Sequence, residues 1–295
     1  MHTILDLPRE VGLSPYPRWE LMGKNTGWVD KNEVEPSSSL DYGGNIEVSP
    51  PVTVGKKEYK FGRIIYGSSW VKKFRLPGRK MNPDLSAFLF AQEIQSPFYA
   101  DTDWLDVGHI DEIISFVPVP NTANKNDFVI LVASPQQAIN ILQKQSPGTL
   151  IPRVNMTVRR VLSDWEAYNR KKQIEINDIV TKVKTGLGNC RVIEVPVYFR
   201  PYENTPKAEA LLPNMVNLLV ANEHLIVAEP FFKPFRDDFN NKLSDLGYKK
   251  STNLDATIHF IDDWDTYHKW GGEVHCGTNV KRPPPADVKW WEQQP

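Results

Sequence analysis

The sequence predicts an α/β (α+β) fold, and three observations carry that expectation. Asp127–Ala133 (DFVILVA) is a short, continuous apolar run of the kind a buried strand needs. Residues 157–185 place Val158, Val161, Leu162, Trp165 and Tyr168 on one helical stripe, which Ile176, Ile179, Val180 and Val183 continue. The order strand, turn, strand, helix, strand recurs along the chain, the pattern of mixed layers and not of an all-β sandwich. The letters show no repeat of fixed period, yet the near-repetition of strand-plus-helix units is compatible with radially repeated modules.

Met1 to about Gly55 is rich in Pro, Ser, Gly and Asn and reads as loops joining short strands, Ile46–Val48 among them. Gly62–Tyr66 (GRIIY) predicts a strand. After Asn82-Pro83-Asp84, residues Leu85, Phe88, Leu89 and Ile94 recur at close to helical spacing until Pro97 ends the helix. Asp106–Val119 (DVGHIDEIISFVPV) is expected to be extended, entered through Gly108 and closed by Pro118 and Pro120. Ser134 caps a helix that has Pro135 in its first turn and should run to about Gln145. Gly186 and Gly188 stop the long helix. Pro196 makes Arg191–Phe199 an edge or bent strand, because proline removes a ladder donor. Met215–Val220, a turn at Ala228–Pro230, a helix from about Asp237 to Leu246 and a strand at Thr257–Ile261 complete the order.

The 295 residues, 40% of them hydrophobic, suffice for a sizeable core. Lys plus Arg total 35 against 36 Asp plus Glu, and no long basic block appears. Nothing in that balance asks for nucleic acid. Two cysteines, Cys190 and Cys276, make no disulfide framework for a body this large, so reduced thiols are expected. The opening residues lack the basic, apolar and small-residue regions of a signal peptide, and no apolar stretch approaches the roughly 20 residues a bilayer needs. The expectation is a soluble, cytoplasmic protein with no membrane partner. Its oligomeric state is not legible.

Two segments could do chemistry. In Gly108-His109-Ile110-Asp111-Glu112, an extended backbone would turn His109 and Asp111 to one side, because the side-chain period of a strand is two. Such a pair suits a metal site or proton handling, and equally a histidine held by its neighbour for structural reasons. In Gly271-Gly272-Glu273-Val274-His275-Cys276-Gly277, glycines flank a cysteine that follows a histidine. The thiolate is the reactive form of cysteine, and a neighbouring imidazolium favours it. No Cys-x-x-Cys pair or His-Glu-x-x-His motif points to zinc. Cys190 reads as a bystander. Oxygen donors also gather at Asp6, Glu10, Asn25, Asp41, Asn45 and Glu47, either as solvated loop residues or as ligands for a hard cation such as calcium.

Taken together, these stretches resemble the protein-arginine deiminase family. The matching segments are Asp103–Glu112 with Phe116-Val117-Pro118, Gly44–Pro51, Pro213–Asn217, Gly272–Asn279 and the closing Lys289-Trp290-Trp291, in order along nearly the whole chain. The resemblance implies a five-fold α/β-propeller of the guanidine-modifying enzyme type, with residues 1–295 forming a partial catalytic domain whose first module is missing or incomplete. It implies calcium-dependent conversion of peptidyl-arginine to peptidyl-citrulline and ammonia. Cys276 would be the nucleophile, His109 the proton donor and then the base, and Asp111 the partner of the guanidinium nitrogens. Arg9 would contact the substrate. Asp6, Glu47 and the carbonyls of Gly43 and Ile46 would bind calcium, with Glu10 and Asn25 standing where the family has other oxygen donors.

The departures carry expectations too. The family's second guanidinium-binding Asp belongs to a segment upstream of the region matching Leu5–Arg9, and this sequence contains no such segment. Two substrate-contacting arginines of the family fall at Val11 and Trp270. The expected outcome is a weakened deiminase, with two alternatives: a protein that binds arginine-containing peptides without turnover, or an enzyme for a small free guanidine.

Overall fold

Three sheets are built on one connectivity: an antiparallel pair, a helical crossover, and a strand that returns parallel. In the first, Ile46–Val48 pairs antiparallel with Ile64–Ser68, and Phe98–Asp101 adds parallel after the helix Pro83–Phe90. In the second, Ile114–Pro118 pairs antiparallel with Phe128–Ser134, and Val192–Pro196 adds parallel after the helices Pro135–Gln143 and Val158–Leu187. In the third, Leu219–Ala221 pairs antiparallel with His224–Ala228, and Thr257–Ile261 adds parallel after the helix Lys233–Ser244; Lys249–Lys250 extends the edge. These elements belong to a computed structural model, which describes residues 2–7, 15–24, 26–29, 37–69, 78–124, 126–203, 205–250, 257–280, 282 and 288–293.

The mixed α/β expectation matches these elements, whereas the five-fold propeller does not. The strands of the described residues fall into seven separate sheets of two to four strands. None of these sheets closes into a barrel or propeller, because no ladder runs from one sheet into the next. Neighbouring sheets are joined by side-chain packing and by the crossover helices instead.

Local chemistry explains where the elements start and stop. Asn82 and Ser134 cap their helices by accepting from the amides of Asp84 and Gln137, and a proline follows each cap. Thr157 caps the 30-residue helix in the same way through the Arg160 amide. That helix buries Val158, Val161, Ile176, Ile179 and Val183 against the main core, with Trp165 and Tyr168 partly covered beside them. Trp104 and Phe199 meet edge to face at 5.5 Å inside the same core. Among the described residues no helix is long and apolar enough to cross a membrane.

One expectation fails locally, and the site depends on the failure. Residues 106–113 form no continuous strand: Ile110–Glu112 is a single 3-10 turn, and the strand begins only at Ile114. The Glu112 carboxylate folds back to accept from the amides of Gly108 and His109, at 3.0 and 2.8 Å. Asn45, distant in sequence, accepts from the Ile110 amide at 3.2 Å. These bonds satisfy the first amides of the turn, which a strand would have spent on a ladder.

Candidate active site

Asn45 is the clamp on which the first wall of the site is hung. Its Nδ2 donates to the carbonyls of Leu40 and Gly67, both at 2.7 Å, and its Oδ1 accepts from the amides of Gly67 and Ile110. That uses all of its hydrogen-bonding capacity and ties three segments together. His109 is almost fully buried and its Nε2 lies 2.7 Å from the Ser39 carbonyl. A carbonyl only accepts, so Nε2 carries the proton and Nδ1 faces Asp111 Oδ1 at 3.9 Å. Asp111 has no exposed surface, and its Oδ1 lacks a hydrogen-bond partner. Gly44 permits this approach: a Cβ there would lie 2.6 Å from Asp111 Oδ2 and 2.7 Å from His109 Nδ1.

The second wall arrives from the end of the chain. Asn217 Oδ1 accepts from the amides of His275 and Cys276, at 3.1 and 3.3 Å, and its Nδ2 donates to Cys276 Sγ at 3.4 Å. The sulfur in turn lies 3.7 Å from Asp111 Oδ2. His275 bridges the two walls, with Nδ1 2.8 Å from Asp111 Oδ2 and Nε2 3.6 Å from Glu47 Oε1. Burial pulls the His275 imidazole down, but the hydrogen bond to Asp111 and the nearby charges of Glu47 and Asp111 outweigh it and raise the pKa to about 9. The Cys276 thiol moves up as well, first through burial and then through the negative charge of Asp111. At rest, therefore, the sulfur is a protonated thiol beside an imidazolium–carboxylate pair.

Glu273 and Asp263 stand behind the thiol. Glu273 Oε1 accepts from the Asn214 amide at 3.0 Å and from His268 Nδ1 at 2.8 Å, so it fixes the loop that carries Asn217. If both carboxyls were ionised, both Asp263 oxygens and Glu273 Oε2 would lack a donor. A proton kept on one of the two carboxyls would give the other a donor. Burial pushes both up to about 8: the charge and hydrogen bonding of Glu273 raise Asp263 further, whereas the bonds to the Asn214 amide and to Asp263 pull Glu273 back against its burial. Burial also lowers His268 to about 4 and keeps it neutral.

The sign of the pH effect follows. The folded state keeps a proton that an unfolded carboxyl releases near pH 4. Stability is thus greatest below that value and declines as pH rises toward about 8. We expect Asp263→Asn, whose amide can donate to Glu273 without a titrating proton, to flatten this decline. One proton corresponds to a slope of about 1.4 kcal/mol per pH unit. Urea denaturation across pH 4–9 checks it, and an unchanged slope in the variant would refute the shared proton.

The structure thus brings His109, Asp111 and Cys276 together: their ligating atoms lie within 4.8 Å of one another. A cavity of about 360 Å³ reaches Cys276, lined there by Asn217, Glu112, Asn214, Gly272 and Glu273. Glu47 joins the site through His275. Gly43 lies in the turn Gly43–Asn45 beside Gly44, and Ile46 opens the strand that carries Glu47. Asp6 is half-buried, with an Oδ2 that has no hydrogen-bond partner. Arg9, Glu10 and Asn25, with Val11, lie outside the described residues. Asp41 and Asn45, two of the clustered oxygen donors, are used structurally: Asp41 accepts from the amides of Ser38 and Asn82. Trp270 projects into solvent, 83% exposed. Cys190 packs at the edge of the main core.

Asn217, Glu273 and the bridging role of His275 were not anticipated. All three fall inside stretches that carry the family resemblance, but their spacing gives no hint of what they hold, because Asn217, Glu273 and His275 each have a partner more than 50 positions away.

Comparison with known proteins agrees with this geometry. The family profile described as protein-arginine deiminase (PAD) matches residues 1–292. The chain is 38% identical over 312 residues to protein-arginine deiminase type-4 of Rattus norvegicus, and 37% identical over 309 residues to the type-4 protein of Homo sapiens. It is 36% identical over 310 residues to the human type-1 protein. Each alignment covers 99% of this chain but 45% of the relative, so the chain spans about half the length of the curated relatives it matches.

Proposed function

Because the chain belongs to the protein-arginine deiminase family, we propose that it hydrolyses the guanidinium group of peptidyl-arginine to citrulline and ammonia through a covalent adduct on Cys276. The observation that carries this reading is the convergence of an imidazole, a carboxylate and a thiol within 4.8 Å. A guanidinium is flat, cationic and rich in N–H donors, so it calls for a carboxylate acceptor. Asp111 Oδ1 is buried and has no competing donor.

Substrate binding itself activates the sulfur in this scheme. The charge on Asp111 holds the thiol protonated at rest, and a guanidinium bound there neutralises that charge. His109 Nδ1 takes the thiol proton, and the sulfur adds to the guanidinium carbon. His109 returns the proton to the departing nitrogen, which leaves as ammonia. It then draws a proton from the water that attacks the thiouronium carbon, and the thiol is regenerated. Asn217 Nδ2, 3.4 Å from the sulfur, stabilises the thiolate by donating to it.

Calcium, on which the family depends, fits the residues in kind. All candidate donors are oxygens: the carboxylates of Asp6 and Glu47 and the carbonyls of Gly43 and Ile46 would hold it. Asp6 Oδ2 is an orphaned buried acceptor. Burial, opposed by His275 and reinforced by Asp111, raises Glu47 to about 7, and a cation held there would favour its ionised form. When bound, the ion would supply positive charge at Glu47, whose Oε1 lies 3.6 Å from His275 Nε2. Cytoplasmic residence is part of the same proposal.

Ammonia release from a peptidyl-arginine substrate, with and without added calcium and against free arginine and agmatine, tests the reading. We expect calcium-stimulated turnover that favours the peptide. Preference for the small guanidine would replace the proposed substrate, and binding of the peptide with no ammonia from either would leave a binding protein as the better account.

A further inference from the structure

We propose that His109, Asp111 and Cys276 also form a binding site for a soft divalent cation of the zinc type, and that its occupancy shuts the site to arginine. The three side chains offer a nitrogen, an oxygen and a sulfur, the ligand types that zinc takes. Their ligating atoms already lie within 4.8 Å of one another. In a tetrahedral site a zinc-bound sulfur and oxygen sit roughly 3.6 Å apart, and Cys276 Sγ lies 3.7 Å from Asp111 Oδ2.

Two independent features prepare the ligands. The Ser39 carbonyl accepts from His109 Nε2 at 2.7 Å, which turns the Nδ1 lone pair toward Asp111. This is the outer hydrogen bond that fixes tautomer and ring orientation in metal-binding histidines. Asp111 Oδ1 is a fully buried oxygen with no donor to satisfy it. The absence of a side chain at Gly44 keeps both ligand groups uncovered on that side, since a Cβ there would press on Asp111 Oδ2 at 2.6 Å and on His109 Nδ1 at 2.7 Å. Three protein ligands would leave a fourth position for water. Binding is a proton exchange without redox chemistry: the thiol loses H⁺ to solvent as the S–Zn bond forms. The bound ion would take the carboxylate oxygen a guanidinium needs and the lone pair the proton transfers need, making inhibition competitive. A hard cation is not selected by a thiolate, so the site is distinct in chemistry from that of calcium.

Cobalt(II) titration of the full chain tests this without any turnover. One equivalent should produce a thiolate-to-cobalt charge-transfer band and intense tetrahedral d–d absorption, both displaced by zinc. The bands should persist in Cys190→Ser, vanish in Cys276→Ser, and require at least tenfold more cobalt in His109→Ala. Zinc should also slow iodoacetamide labelling of Cys276 in the unaltered chain while leaving Cys190 untouched, a readout that needs no variant to fold. Absence of the bands, their survival in Cys276→Ser, or labelling of Cys276 indifferent to zinc each overturns the proposal. Because these are binding signals, cobalt uptake by a chain that releases no ammonia would uphold this site and sink the catalytic reading.

Discussion

Replacement of Cys276 by serine is expected to lower ammonia release by on the order of 10⁴-fold or more, the scale on which loss of a nucleophile acts. The reason lies in the acid on the other side of the sulfur. The thiol is already held protonated by burial and by Asp111, and only the arrival of a cation makes its anion accessible. A hydroxyl starts from a far higher pKa, so the same cation leaves it protonated and weakly nucleophilic. The fold should be unaffected. Asn217 holds residues 275 and 276 through their amides, and those bonds do not involve the sulfur. Circular dichroism should therefore be unchanged while turnover disappears. A serine variant retaining more than a few per cent of the parent rate would remove Cys276 from the chemistry.

The second large effect is expected at Asp111, where two readouts should move in opposite directions. In Asp111→Asn the guanidinium loses one or two charge-assisted hydrogen bonds, at about 1.5–3 kcal/mol each. Turnover should fall by on the order of 10²–10⁴-fold. The same substitution removes the charge that holds the Cys276 proton in place, so the thiol pKa should drop and its alkylation by iodoacetamide at neutral pH should quicken. A residue that served only to keep the fold would slow catalysis without making the sulfur more reactive in a folded chain. Slower alkylation alongside lost turnover would therefore argue that Asp111 is a structural carboxylate and nothing more.

Much of the scaffold was legible because it rests on local rules. The strand Phe128–Ser134 is a continuous apolar run, and the helix Val158–Leu187 carries its stripe and its closing glycine in neighbouring letters. The site was legible only through whole segments resembling a family, since His109-x-Asp111 alone is compatible with several roles. The 3-10 turn at Ile110–Glu112 was not readable. The same letters would alternate acceptably as a strand, and the choice is made by the Asn45 side chain 65 positions away. The Asp263–Glu273 pair was hidden for a different reason: two acids ten residues apart read as solvated, and only their burial raises both pKa values. Ring closure failed as an expectation because it is decided by which strand edges meet. Periodicity within a strand says nothing about the neighbour its outer edge will find.

The sulfur and the acid it faces are 165 positions apart, and Asn217 and Glu47 come from two further stretches of the chain. A polypeptide leaving the ribosome has made its acid, its imidazole and most of its hydrophobic interior long before residue 276 emerges. Half-made chains consequently hold no assembled site, and the proposed chemistry would begin only once the last long-range closure has occurred.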